Sequence, residues 1–293
     1  MQITAELVKE LRERTGAGMM DCKKSLQEAD GDIEAAIEAM RKSGMAKAAK
    51  KAGRIAAEGR IQIKQNPETG ETVILEVNSE TDFVAKDENF GNFVERVADC
   101  VLAQKPADVE SLMAQDVDGQ TLEELRIQLV TKIGENISVR RFRVFKPQGT
   151  LGQYLHGNRI GVLVDLNGGD EELARDIAMH IAGYHMPPVS ISEEDVPEEM
   201  IGKEKAIFEA QAEESGKPAE IIEKMVSGKV RKFVQEVSLL TQPFIKDPDQ
   251  TIGQLLNSAG ATVNSFCRYQ LGEGLEKRSD NFADEVMSQA RGE

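Results

Sequence analysis

The hydrophobic pattern of this chain changes its period near Gly59, and this change restricts the fold more than any other feature of the sequence. Before it, residues 3–14 carry apolar side chains three and four positions apart, which is typical of an amphipathic helix. After it, Ile61 and Ile63 alternate with polar residues, and the apolar run Val73–Val77 predicts a second, more buried strand. Helices are followed by sheet structure, so the sequence predicts the α+β class.

The first fifty residues predict a compact module of three short helices. The apolar spacing places the helices over residues 3–14, 20–28 and 32–42, with an Asp-Gly turn signal before the third. Such a module is too small to hide every apolar side chain. The adjacent Met19 and Met20 therefore either close this small core or face a partner, because thioethers adapt to irregular surfaces.

A pattern of strand, turn, strand and helix occurs twice, at an offset of nearly ninety residues. The two copies span residues 61–103 and 152–183. They predict two related α+β subdomains with small antiparallel sheets. A solenoid is excluded as the alternative, because it needs at least three shorter repeats. Between the copies, Thr121 and Glu124 form a capping box, and we expect the helix that they begin to link the halves.

A helical hairpin is predicted in the second half of the chain. Pro197 and Pro218 suit the first turns of two amphipathic helices, and Ser215–Lys217 joins them. The second helix has apolar residues in steps of three and four, as an antiparallel pair requires: Ile222, Val226, Val230, Phe233 and Val237. The predicted parts are a three-helix module with its linker at 1–54, a first core subdomain at 55–140, the first part of a second at 141–186, the inserted hairpin at 187–237, and the completion of the second subdomain with a C-terminal module at 238–293.

The charge of the chain favours protein partners. Its 51 acidic and 36 basic side chains give a formal net charge of −15, which repels nucleic acid and anionic membranes over most of the surface. The segment Arg41–Arg60 is an exception, with seven basic side chains and one acid. It is either a nucleic-acid strip or a solvated helical linker, and its lack of aromatic residues for base stacking favours the linker.

The cysteines and the chain start indicate a reducing, cytoplasmic setting. Cys22, Cys100 and Cys267 are far apart and form no CxxC pair, which predicts buried free thiols. Residues 1–6 show no basic stretch followed by an apolar one, and no run of about 18 apolar residues occurs. We expect neither export nor membrane insertion.

The motifs of common enzymes are missing from the sequence. It contains no GxxxxGK[ST], GxGxxG, HExxH or GxSxG pattern, and its histidines have no metal-ligand spacing. We therefore expect no cofactor, no metal, no nucleotide bound by the chain itself, and no covalent catalysis. His180 lies on a predicted helix and is expected to be structural, whereas His156 precedes a Gly-Asn turn and is expected to be exposed.

The most informative segment is 78–87, which follows the buried strand and places Phe83 in a loop beside Asp82. An aromatic residue at such a place either caps the local core or stands exposed as a wedge. The residues of the segment alone leave both interpretations open.

Two stretches carry a resemblance to a known family. Residues 11–24 (LRERTGAGMMDCKK) and 81–85 (TDFVA) resemble the two signature stretches of the elongation factor Ts family. Four further stretches resemble landmarks of that family in the expected order: HGNRIGV at 156–162, IAMHIA at 177–182, QPF at 242–244 and GEG at 272–274. The resemblance covers nearly the whole chain.

This resemblance implies both a fold and a function. The fold is a UBA-like three-helix module, a core of two related α+β subdomains and an inserted antiparallel helical hairpin. The function is guanine-nucleotide exchange on the translation GTPase elongation factor Tu (EF-Tu). Such a factor binds EF-Tu·GDP, disturbs the Mg²⁺ and phosphate site, and promotes GDP release so that GTP can bind.

The resemblance also implies the site residues. Phe83 would wedge between helices of the GTPase beside its nucleotide site, Asp82 would help to disturb the Mg²⁺ region, and Thr81 and Val84 would shape the loop. The further EF-Tu contacts implied are Arg12, Met19, Met20 and His156. Two rival classes stay open: a nucleic-acid-binding protein that uses Arg41–Arg60, and a small-molecule enzyme sited between the α+β halves.

Overall fold

The computed structural model describes residues 3–15, 17–214 and 218–275. It combines helices with small sheets, so the predicted α+β class is confirmed. The predicted joint Ser215–Lys217 and the tail 276–293 lie outside the described residues. The chain divides into two compact units: the first comprises Met1–Glu68, Thr72–Val144 and Gln270–Glu293, and the second comprises Thr69–Glu71 and Phe145–Tyr269.

The first unit holds the N-terminal helices and one main sheet. Its helices are α1 (Ala5–Thr15), α2 (Met19–Glu28), α3 (Ile33–Lys51), α4 (Asp82–Ala85), α5 (Glu88–Gln104), α6 (Val109–Met113) and α7 (Leu122–Ile133). Its strands are β1 (Glu58–Gln65), β2 (Thr72–Ser79), β3 (Asp116–Val117), β4 (Gln120–Thr121) and β5 (Ile137–Phe145).

The first three helices form the predicted module around a small core. Thr4 precedes α1, and its hydroxyl accepts a hydrogen bond from the Leu7 N–H at 3.3 Å. Asp32 caps α3 with its side chain, and the turn before it has positive φ at Asp30 (50°) and Gly31 (87°). The buried core residues are Val8, Leu11, Cys22, Leu26 and Ala36.

The third helix continues to Lys51 and does not end near Lys42 as the sequence predicts. It packs on α7 through Gly44, where a Cβ would lie 3.2 Å from Thr131 Oγ1. The Lys51 Nζ also donates to the Gly134 carbonyl. The predicted helical linker is therefore helical as far as Lys51 and exposed at most of its positions, but the buried Gly44 and Ala48 give it a packing face that the sequence does not predict.

The main sheet of the first unit has the strand order β1-β2-β5. β1 and β2 are antiparallel, with Glu58 opposite Ser79. The predicted capping box is present at α7, where Glu124 N–H donates to Thr121 Oγ1 at 3.1 Å and the Glu124 carboxylate accepts from Thr121 N–H at 3.0 Å. This helix belongs to the first unit and does not link two halves. The core between the sheet and helices α5 and α7 includes Val73, Leu75, Val77, Phe90, Phe93, Val94, Val97, Leu122 and Val130.

The second unit contains a sheet with the order β10-β7-β6 and a pair of long helices. Its elements are β6 (Thr150–His156), β7 (Ile160–Asn167), α8 (Glu171–Gly183), α9 (Glu198–Glu213), α10 (Ala219–Glu236), β8 (Pro243–Phe244), β9 (Asp247–Thr251), α11 (Ile252–Ser258) and β10 (Thr262–Gln270), with 3₁₀ turns at Glu193–Asp195 and Leu239–Thr241. β6 and β7 are antiparallel, with Thr150 opposite Leu166. Helix α8 lies against β6 at Gly152, where a Cβ would be 2.1 Å from the Ala174 carbonyl oxygen, so only glycine fits without a shift.

Helices α9 and α10 pack against each other, as the predicted hairpin requires. Ala212 on α9 and Val226 on α10 are buried, and Val237 is buried just after α10. The other predicted stripe positions, Ile222, Val230 and Phe233, are half-buried. The predicted stripe therefore lies at buried or half-buried positions. Among the described residues, no helix is both long and apolar enough to cross a membrane.

Candidate partner-binding site

Phe83 stands on the short helix α4, directly after the buried strand β2. The residue is 79% exposed, so it does not cap the local core. The next residue, Val84, is 7% exposed and belongs to the core cluster of the first unit. The turn closes by hydrogen bonds from Lys86 N–H to the Phe83 carbonyl and from Asp87 N–H to the Val84 carbonyl. A buried valine thus anchors the turn that presents the aromatic ring to solvent.

Thr81 is the N-cap of this turn, and a residue from a distant part of the sequence holds it. The Thr81 hydroxyl accepts from Val84 N–H at 3.4 Å. The Glu135 carboxylate accepts from the Thr81 hydroxyl at 2.7 Å and from the Thr81 N–H at 3.0 Å. Glu135 is absent from the predicted site. In the sequence, Glu135 is marked only by its position after Gly134, a glycine suited to end a helix. Its contact with Thr81 is visible only in the folded structure.

Asp82 and Lys86 form a surface ion pair across one turn. The Lys86 Nζ lies 2.8 Å from Asp82 Oδ2 and 5.9 Å from the centroid of the Phe83 ring. The Asp82 side chain is 50% exposed. An exposed pair of this kind contributes about 0–1 kcal/mol, so a partner can rearrange it at little cost.

Met19, Met20 and Arg12 lie on the first two helices of the N-terminal module. Met19 and Met20 open α2 and are 59% and 76% exposed, while the module core closes without them. Arg12 is exposed on α1. The interpretation that these methionines complete the core is therefore wrong, because Cys22 and Leu26 are the residues of α2 that are buried in the core of the module.

His156 ends strand β6 in the second unit and is exposed, as expected. The tight turn after it has positive φ at Gly157 (53°) and Asn158 (60°), and the Arg159 N–H donates to the His156 carbonyl at 3.0 Å. Its Nδ1 lies 3.2 Å from the Tyr154 hydroxyl, and the two rings stack with centroids 6.2 Å apart. These contacts hold the imidazole against the Tyr154 side chain.

His180 is structural, as predicted. It is fully buried, and the Ile245 N–H donates to its Nδ1 at 3.2 Å. Nε2 therefore carries the proton and donates to the Gln242 side-chain oxygen at 3.0 Å. Burial lowers the pKa of His180, and the hydrogen bond with Gln242 opposes this effect only in part.

Strand β2, which leads to α4, carries a buried carboxylate that the sequence pattern does not predict. Glu76 is fully buried and pairs with Arg140 Nη1 at 3.0 Å and with Arg141 Nε at 2.7 Å. Burial by itself raises the pKa of this carboxyl, but hydrogen bonds from the Gly272 N–H, the Asn78 amide and both arginines outweigh it and hold the pKa below its ordinary value. In the sequence, the sign of this site is a single glutamate within the otherwise apolar run Val73–Val77. A charge buried there needs a partner of opposite charge, since buried charges are normally paired.

The cysteines and the metal-ligating residue types add no site. Cys22, Cys100 and Cys267 all lie within the described residues and are buried free thiols, as predicted. Burial raises the pKa of Cys100, which disfavours the reactive thiolate. Over residues 3–15, 17–214 and 218–275, no three His, Cys, Asp or Glu side chains form a group that could hold a metal ion.

An exposed aromatic ring on an anchored turn and exposed methionines at the start of a helix are typical of protein contact surfaces. The fold and this site together indicate the class of protein-binding factors. The family model described as Elongation factor TS matches residues 80–273. The chain belongs to the elongation factor Ts family and is an elongation factor of protein synthesis.

Similar proteins span the whole chain. The Elongation factor Ts of Thioalkalivibrio sulfidiphilus is 60% identical over 294 residues, covering 100% of both chains. That of Alkalilimnicola ehrlichii is 59% identical over 293 residues, again covering 100% of both. That of Methylococcus capsulatus is 56% identical over 293 residues and covers 99% of both. The resemblance seen in the sequence is thereby confirmed.

Proposed function

We propose that this protein is the guanine-nucleotide exchange factor of EF-Tu and acts in the cytoplasm. It binds EF-Tu·GDP, disturbs the site of Mg²⁺ and the phosphates, and promotes GDP release so that GTP can bind. The observation that carries the proposal is Phe83, which is 79% exposed on a turn that Val84 anchors in the core. An apolar ring that is exposed and held in place is suited to enter a partner.

Exchange requires a difference in affinity between two states of the GTPase. A factor that bound the loaded and the empty GTPase equally well could not weaken nucleotide binding. This protein must therefore bind the empty form of the GTPase more tightly. By reciprocity, incoming nucleotide weakens the binding of this protein to the GTPase. The factor is then released and acts again without forming or breaking a covalent bond.

Phe83 and Asp82 have separate parts in this proposal. The Phe83 ring enters between helices of the GTPase and is compatible only with the altered nucleotide site. The Asp82 carboxylate leaves its exposed pair with Lys86 and adds negative charge near the Mg²⁺ region. Loss of the ion leaves the phosphate charge of the nucleotide uncompensated, which weakens nucleotide binding further.

The remaining residues hold the complex together. Met19 and Met20 present adaptable apolar surface, and Arg12 presents a cation, to the nucleotide domain of the GTPase. His156, whose Nδ1 lies 3.2 Å from the Tyr154 hydroxyl, is a further EF-Tu contact in this proposal. The chain itself binds no nucleotide, cofactor or nucleic acid in this proposal.

Release of fluorescent GDP from purified EF-Tu tests the function. The dissociation rate is measured in excess unlabelled nucleotide, with and without catalytic amounts of this protein. We expect strong acceleration at a ratio of factor to GTPase well below one. Unchanged release, with both proteins folded by circular dichroism, would refute the exchange function.

A further inference from the structure

Glu135 approaches the N-cap of the Phe83 turn from the loop that follows helix α7. Its carboxylate accepts two hydrogen bonds from one residue, from the Thr81 hydroxyl at 2.7 Å and from the Thr81 N–H at 3.0 Å. The two residues are 54 positions apart in sequence. Hydrogen bonds to an ionised group are about twice as strong as neutral ones, so this contact outweighs the long bond from Val84 N–H to Thr81 Oγ1.

All the polar groups of Thr81 are engaged. Besides the bonds to Glu135 and from Val84, its carbonyl accepts from the Ser79 hydroxyl at 2.9 Å. Thr81 has extended backbone angles, with φ −125° and ψ 157°, at the point where the strand turns into α4. These contacts fix the direction in which the chain leaves β2 and enters the turn that carries Phe83.

Glu135 itself is held in place by its two neighbours. Gly134 ends α7 with a φ of 90°, and its carbonyl accepts from Lys51 Nζ. On the other side, the Asn136 N–H donates to Glu80 Oε1 at 2.6 Å, and the Asn136 amide donates to the carbonyl of Arg54 at 2.9 Å. The carboxylate therefore reaches Thr81 from a loop that is bonded to the end of helix α3 and to the residue before Thr81.

We propose that Glu135 is a positioning residue for the exchange reaction and holds the Phe83 turn in its binding conformation. The inference rests on the proposed function. A turn that is already ordered loses little conformational entropy when the ring enters the partner, and more of the binding energy remains to weaken nucleotide binding. Glu135 acts through Thr81 and Phe83 and needs no contact with the GTPase.

The test compares Glu135→Gln with the matched control Glu123→Gln, which removes a carboxylate on α7 that pairs with Arg126 and not with the turn. For Glu135→Gln we expect the second-order rate constant of exchange to fall about tenfold, because a neutral amide replaces a charged acceptor of two bonds. Amide hydrogen exchange of the free protein at Thr81 should become about tenfold faster. The control should change neither quantity.

A double-mutant cycle shows whether Glu135 acts through the ring. In a Phe83→Ala background, Glu135→Gln should lower exchange by less than about twofold, because the group that it positions is absent. The faster amide exchange at Thr81 should persist in this background. An equal loss of exchange with and without the Phe83 ring would overturn the proposal, because Glu135 would then act on the fold in general.

A second pair of variants tests the same contact from the other side. Thr81→Ser keeps the hydroxyl and should exchange nucleotide faster than Thr81→Val. Thr81→Val loses both the hydrogen bond to Glu135 and the cap of the Val84 N–H, so it should lower exchange at least as much as Glu135→Gln. If Phe83→Ala alone leaves exchange unchanged, the wedge of the proposed function fails. If Phe83→Ala lowers exchange while Glu135→Gln and Thr81→Val do not, only the positioning role fails.

Discussion

Truncation of Phe83 separates a role in binding from a role in folding. Phe83 is 79% exposed, so about a fifth of its surface of ~200 Å² is covered in the free protein. At about 25 cal/mol per Å², Phe83→Ala should lower the free energy of unfolding by only about 1 kcal/mol. Phe90→Ala is the matched control, because Phe90 is fully buried in the same unit and its truncation should cost about 3–5 kcal/mol.

The effect of Phe83→Ala on exchange should be much larger than its effect on folding. If the GTPase covers the rest of the ring, about 160 Å² is removed from water in the complex, worth about 4 kcal/mol. Every 1.4 kcal/mol is a factor of about ten, so the second-order rate constant of exchange should fall by up to about 10³. The actual loss is smaller wherever the partner covers the ring incompletely.

Two measurements check this reasoning. Urea unfolding gives the stability of both variants, and fluorescent GDP release from EF-Tu gives exchange at concentrations below saturation. We expect Phe83→Ala to fold normally and exchange poorly. A loss of stability as large as that of Phe90→Ala, or normal exchange by a folded Phe83→Ala protein, would refute the wedge.

Three further changes have defined outcomes. Glu76→Gln should lower the free energy of unfolding by about 2–4 kcal/mol at pH 7, because it removes the charge that pairs two half-buried arginines. The pKa of Glu76 is lower in the folded protein than in the unfolded chain, so this stabilisation is present above about pH 4.3 and is lost as the pH falls through the folded pKa. Urea unfolding at pH 7 and at pH 3 should therefore show that the difference in stability between variant and wild type shrinks in acid. Gly152→Ala should cost about 1–3 kcal/mol in thermal unfolding, because its Cβ would lie 2.1 Å from the Ala174 carbonyl oxygen, and an unchanged midpoint would contradict that close approach. Met20→Ala should leave stability within about 0.5 kcal/mol yet weaken binding to EF-Tu about tenfold by calorimetry, whereas Met45→Ala, on a side chain that is 59% exposed, should leave the affinity unchanged.

The sequence predicted an element well where the whole motif that defines it lies within a few consecutive residues. The capping box of Thr121 and the Asp-Gly turn before α3 are visible as residue types at fixed spacing, and both occur in the structure. The end of α3 was missed, because alanine and glycine form a packing face only when another helix is present to pack on. Gly44 meets Ile127 and Thr131 of α7 across more than eighty intervening residues, and no local pattern carries that contact.

The sequence by itself determined the α+β class, the order of the elements and the family, since these depend on periodicity and on motifs that are contiguous in the chain. Tertiary structure decided that Phe83 is exposed and does not cap the local core, because Val84 and not Phe83 is drawn into the core. It also brought Glu135 to Thr81 and both Arg140 and Arg141 to Glu76. Such contacts join residues more than fifty positions apart, and they form only once the sheet and helices have packed and removed these charges from water.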